Sequence, residues 1–152
     1  MQAKTDVECV PGVHSVDDFP GLNVVIVYDD VSAGQHAMHV LASQGHDLHD
    51  IDVRPRLWRF DFLEDPEWFA LALADAINAD MVVISTSAPN GLNPVVRNWI
   101  KLCLARKRGS GSAIVALFGP AGNLDELESP RYQFVQNTAR EAGLDVFAPH
   151  SP

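Results

Sequence analysis

Two adjacent carboxylates, Asp29 and Asp30, follow directly on an apolar run, and Ser32 and Gly34 come just after them. Paired oxygen ligands suit a hard cation, Mg²⁺ first. A serine and a glycine at the start of a helix suit an anion instead. The first backbone N–H groups of a helix have no partner inside it, and glycine lets a phosphate approach the main chain. The two uses conflict, because carboxylates at the same mouth repel phosphate unless a cation or a proton intervenes. A third reading needs no ligand: acids at a helix N-terminus are favoured by its dipole and stay hydrated.

A second group lies further along the chain. Thr86, Ser87 and Asn90 offer hydroxyl and amide groups, and Pro89 and Gly91 shape the backbone between them. Main-chain and side-chain contacts of this kind could hold a flat heteroaromatic. Equally, Ser-Ala-Pro-Asn-Gly is ordinary turn vocabulary, with Pro fixing φ and Asn-Gly tolerating positive φ. Gly119 opens a third polar segment, running to Asn123.

His36, His39, His46 and His49 offer zinc chemistry in principle, and the first two share a helix face. The other two fall at the far end of that helix, so exposed imidazoles are the simpler reading. Arg97, Lys101, Arg106, Lys107 and Arg108 lie along one helix and crowd its C-terminal end, where cations complement the dipole. They read as a solvated helix terminus, with a docking patch as the alternative. No Ser-His-Asp or Cys-His grouping, P-loop or dinucleotide glycine fingerprint is present.

The elements that must position these groups follow from pattern. Leu22 to Tyr28 is a continuous apolar run, as in a strand covered on both faces. Ser32 and Gln35 have capping-box spacing, so Ser32 would close the first turn of a helix reaching about Ser43, with Gly45 as its stop. Asp47 to Arg54 alternates like a half-exposed edge strand. Three later helices share a start signal, a capping residue followed by Pro: Asp65-Pro66, Asn93-Pro94 and Ser129-Pro130. Asp80 to Thr86, Ser112 to Gly119 and Leu144 to Pro149 complete the strands. Alternating strands and helices mean a doubly wound parallel sheet, a three-layer α/β fold, and five strands at this length fit the order 2-1-3-4-5. The stretch Arg54 to Trp68 is long for a connection and carries Trp58, Phe60, Phe62 and Trp68. It reads as a loop packed on the sheet edge, with a homodimer interface as the alternative.

A chain of 152 residues, 47% hydrophobic, holds one core. Residues 1–21 read as an irregular arm and 22–152 as a single domain. A net charge of −9 argues against nucleic acid as a partner, since affinity for phosphate backbones comes mostly from Lys and Arg. Two distant cysteines, Cys9 and Cys103, match no metal or redox spacing. With no signal-like start and no run long enough to span a bilayer, the expectation is a cytoplasmic protein with no membrane partner.

The run Pro89-Asn90-Gly91, then Pro94, then Arg97-Asn98-Trp99-Ile100 resembles the flavin-facing segment of flavodoxins and NADPH-dependent FMN reductases. That resemblance spans about Leu22 to Pro149. It implies FMN, with Pro89, Asn90 and Gly91 beside the isoalloxazine and Ser32 and Gly34 at the phosphate. Asp29-Asp30 is also similar to the acidic pair that holds Mg²⁺ in response-regulator receiver domains. Ser85, Thr86 and Ser87 stand where such a domain carries its phospho-acceptor aspartate, so this second resemblance implies a non-catalytic pseudo-receiver working by protein contact. The first expectation is therefore a flavodoxin-like domain taking FMN or another nucleotide-like molecule at the carboxyl ends of strands one, three and four.

Overall fold

Four consecutive residues, Val24 to Val27, are buried. Neighbours in a strand point to opposite sides, so only a strand covered on both faces buries all four. The computed structural model describes residues 21–44, 52–86, 92–118 and 130–148. In chain order they form β1 (Gly21–Tyr28), α1 (Val31–Gln44), β2 (Asp52–Arg59), a 3₁₀ turn (Phe60–Glu64), α2 (Pro66–Ile77), β3 (Met81–Thr86), α3 (Pro94–Arg106), β4 (Ala113–Phe118), α4 (Pro130–Glu141) and β5 (Asp145–Phe147). Every pairing is parallel, and the sheet order is β2-β1-β3-β4-β5. This is the flavodoxin-like order 2-1-3-4-5 expected from the pattern.

The strand period divides the core in two. Val25, Val27, Val82, Ile84, Ile114 and Ala116 pack under α2, α3 and α4, whereas Val24, Ile26, Val83, Val115 and Leu117 lie on the side of α1. Full burial of one such side chain contributes roughly 1.5–3 kcal/mol. Sheet burial, not helix propensity, therefore dominates the stability. Within the larger cluster Trp99 is fully buried, and its indole N–H has no hydrogen-bond partner among the described residues. No helix among the described residues is long and apolar enough to cross a membrane.

The shared helix grammar holds where it can be seen. Asp65 accepts from the backbone N–H of Glu67 and Trp68, and Asn93 accepts from that of Val96. Ser129 lies outside the described residues, as do residues 1–20 of the arm with Cys9, and Gly45, His46 and His49; Gly21, expected to end the arm, opens β1 through its pairing with Asp52.

Several expectations are corrected. The edge strand expected to end at Arg54 runs on to Arg59, because Leu57 and Trp58 pair with Ile26 and Val27 along the full length of β1, while residues 47–51 of that expectation lie outside the described residues. Pro55 disguises it, yet proline is tolerated on an edge, where its missing N–H removes no central ladder bond. The long aromatic connection accordingly shrinks to the 3₁₀ turn. Helix α1 begins at Val31, and its cap is Asp30, whose Oδ1 accepts the Ala33 N–H at 2.9 Å. Asp30 outcompetes Ser32 for that role by standing three residues before a backbone donor, the usual N-cap reach.

Lys107 is the clearest surprise. The expected solvated lysine is only 2% exposed. Its ammonium donates to the carbonyls of Ala76 at 2.8 Å, Ile77 at 3.2 Å and Ala79 at 2.6 Å, so it closes the C-terminal end of α2. Burial holds its pKa below the ordinary lysine value. Arg97, Lys101 and Arg108 tie this end of the chain to α4, whereas Arg106 is exposed. Arg97 donates to the Leu92 carbonyl and lies over the Phe134 ring, and Arg108 donates to the Glu141 carbonyl.

Candidate functional site

A parallel sheet of this order opens a crevice at the carboxyl ends of its strands, where connections leave in opposite directions. Helix α1 covers one face of the sheet, and α2 and α3 the other. β1 and β3 are direct neighbours, with Tyr28 opposite Ser85, so the acidic segment and the Ser-Thr segment emerge side by side.

Their side chains meet. The Thr86 hydroxyl donates to Asp29 Oδ2 at 2.6 Å, a short bond of the kind expected when the acceptor is ionised. Thr86 is 1% exposed, whereas Asp29 is half-buried, so the carboxylate reaches from a packed strand end toward solvent. One residue back, the Ser85 hydroxyl donates to the Ala33 carbonyl at 2.8 Å and pins the first turn of α1 to β3. Alternation explains this division of labour: Ser85 faces the α1 layer and Thr86 faces the other.

Arg131 completes the rim, and sequence reasoning missed it. It is 6% exposed, with its guanidinium carbon 5.2 Å from the centroid of the Phe118 ring. Phe118 is the β4 partner of Thr86, which puts Arg131 on the same face and at the same end as Thr86. Tyr132 braces the ring edge-on at 6.2 Å. A signal was present in the sequence. Arg131 sits in the first turn of α4, where no acid occurs and a cation runs against the helix dipole.

The remaining residues singled out for their chemistry divide as follows. Gly34 is buried, and a Cβ there would lie 3.1 Å from the Tyr28 ring. Its smallness therefore makes room for the Tyr28 ring. Ser32 is exposed on α1. Ser87, Pro89, Asn90, Gly91 and Gly119 lie outside the described residues. His36 and His39 are on α1, and among the described residues no group of three metal-ligating side chains is close enough to hold an ion.

Among the N-terminal N–H groups of α1, which an FMN phosphate would use, that of Ala33 is already accepted by the Asp30 carboxylate. What the rim does offer is a carboxylate, a hydroxyl and a guanidinium, groups that can meet the polar edge of a heteroaromatic. A separate cavity of about 500 Å³ lies along the β5 edge, lined by Arg140, Asp145 and Phe147 among others. It contains none of these groups. No protein-family model, curated protein or solved structure matches the chain.

Proposed function

We propose that this flavodoxin-like domain binds a nucleoside-like heteroaromatic at the carboxyl ends of β1, β3 and β4. The observation that carries the reading is the Thr86–Asp29 hydrogen bond, with Arg131 on the same rim. Asp29 would accept N–H groups from the edge of the ring system, Thr86 would hold that carboxylate in place, and Arg131 would meet a carbonyl edge. Flavin is the first ligand to test, entering without reliance on its phosphate. Mg²⁺ at Asp29 and Asp30 is the cation that would offset the two carboxylates if a phosphate does enter.

Quenching of flavin fluorescence tests this directly. Riboflavin is expected to bind, and FMN to bind at least about tenfold more weakly in chelator, a difference of about 1.4 kcal/mol. Added Mg²⁺ narrows that gap. FMN binding tighter than riboflavin in chelator overturns the reading, and so does failure of riboflavin and adenosine alike to bind. Mg²⁺ binding with no affinity for either would turn the assignment toward the pseudo-receiver.

A further inference from the structure

The two faces of the sheet carry unequal cover. Helices α2, α3 and α4 lie on one face, and α1 is the one described helix on the other, where it packs on β1 and β3. A helix is about 10 Å across and strands stand about 4.8 Å apart, so α1 spans two strands and leaves β4 and β5 open. The residues there do not behave as an open face. Val115 and Leu117 of β4 point to the α1 side, and they are only 8% and 5% exposed. Phe147, the β5 partner of Val115, points the same way and is 53% exposed. The cover therefore extends over β4 and thins at the edge.

That burial arises within a single chain, so a second copy does not supply it. The cover must come from segments outside the described residues, and topology removes all but one of them. Residues 45–51 join α1 to β2, the strand at the opposite edge. Residues 87–91 and 119–129 lead from β3 and β4 to helices on the other face. Residues 149–152, Pro-His-Ser-Pro, bring no large apolar side chain. Residues 1–20 remain. They precede Gly21, which opens β1 at two strand spacings, about 10 Å, from β4. About four extended residues cross that distance. The segment also has the composition of a cover, because Val7, Val10, Val13, Val16 and Phe19 set an apolar side chain at every third position.

We propose that residues 1–20 dock over β4 on the α1 side, with Val13, Val16 and Phe19 against Val115 and Leu117. The proposal is independent of any ligand in the crevice. A nitroxide on Ser15→Cys, in a Cys9→Ser chain whose buried Cys103 stays unlabelled, tests it through paramagnetic broadening of amide signals. Signals next to Gly21 broaden in any placement. Beyond them, those of Val115, Leu117 and Phe147 are expected to lose most of their intensity. The signals of Trp58, at the opposite edge, and of Leu71, on the other face, should keep theirs. Val16→Asp combined with Phe19→Asp is expected to return the β4 signals. Broadening centred on β2 or spread evenly, or β4 signals that stay broad in the double variant, overturns the proposal. So does β4 broadening that is equally strong when the label and the isotope are on different chains, which would assign the contact to a second copy.

Discussion

Lys107 and Arg131 are both buried cations on the same side of the sheet, one at each end of it, and the chain treats them differently. Lys107 is enclosed by three backbone carbonyls at the amino ends of the strands. Nearby, the Asp80 carboxylate accepts the Asn23 N–H at 2.9 Å, and Ser110 and Ser112 bond to each other. These polar groups close that end of the sheet upon itself. Arg131 instead rests its guanidinium over Phe118, at the end of the sheet where the Thr86 hydroxyl holds the half-buried Asp29 carboxylate. Similar residue types therefore serve architecture at one end and, in the reading proposed above, recognition at the other. Burial alone does not tell the two apart; the partners do.

The contrast can be broken experimentally, beginning with the largest effect. Lys107→Met leaves three carbonyls without their charged donor and is expected to cost about 3 kcal/mol, measured by urea denaturation, with riboflavin affinity unchanged. At the other end, Thr86→Val is expected to lower riboflavin affinity about tenfold while costing only about 1 kcal/mol of stability. Equal losses of affinity in the two variants would erase the distinction between the ends.

Cys103, one turn before Lys107, provides a pH test of the closed end. Burial raises its thiol from the ordinary 9.0 to about 12. The unfolded thiol ionises first, so its contribution is complete below pH 9.0 and is lost as pH rises toward about 12. By about pH 10 the loss should reach about 1.4 kcal/mol. Lys107, held below its ordinary value, contributes with the opposite sign, so the stability difference between Cys103→Ala and the wild type over this range reports the thiol together with its effect on Lys107. A difference independent of pH would show that the thiol is not sealed.

The smallest effect sharpens the reading of the carboxyl end. Asp30→Ser keeps a cap for α1 and should change stability by less than about 0.5 kcal/mol. It removes a carboxylate from the helix mouth, so the preference for riboflavin over FMN should shrink. No change in that preference would mean that Asp30 does not exclude the phosphate.

Much of the fold is legible in the sequence because its signals are local. The apolar run of β1 and the capped prolines at Pro66 and Pro94 specify their elements from neighbouring residues alone. β2 escapes such reading because Pro55 and three arginines make an edge strand look like a loop, and only pairing with β1 resolves it. The role of Lys107 is hidden because its acceptors come from the end of a different helix, a tertiary fact with no trace in the spacing of α3. At the candidate site, the adjacency of Asp29 and Thr86 follows from strand order. The place of Arg131 does not, although a cation in the first turn of α4 is a visible anomaly.

The central claim is tested most directly by titrating the isotopically labelled protein with riboflavin and following its amide chemical shifts. The expected perturbations are concentrated at Asp29 to Gly34, Ser85, Thr86 and the first turn of α4, with the amides around Asn23, Asp80 and Lys107 unmoved. Perturbations centred on that second group, or spread evenly over the sheet, would contradict it.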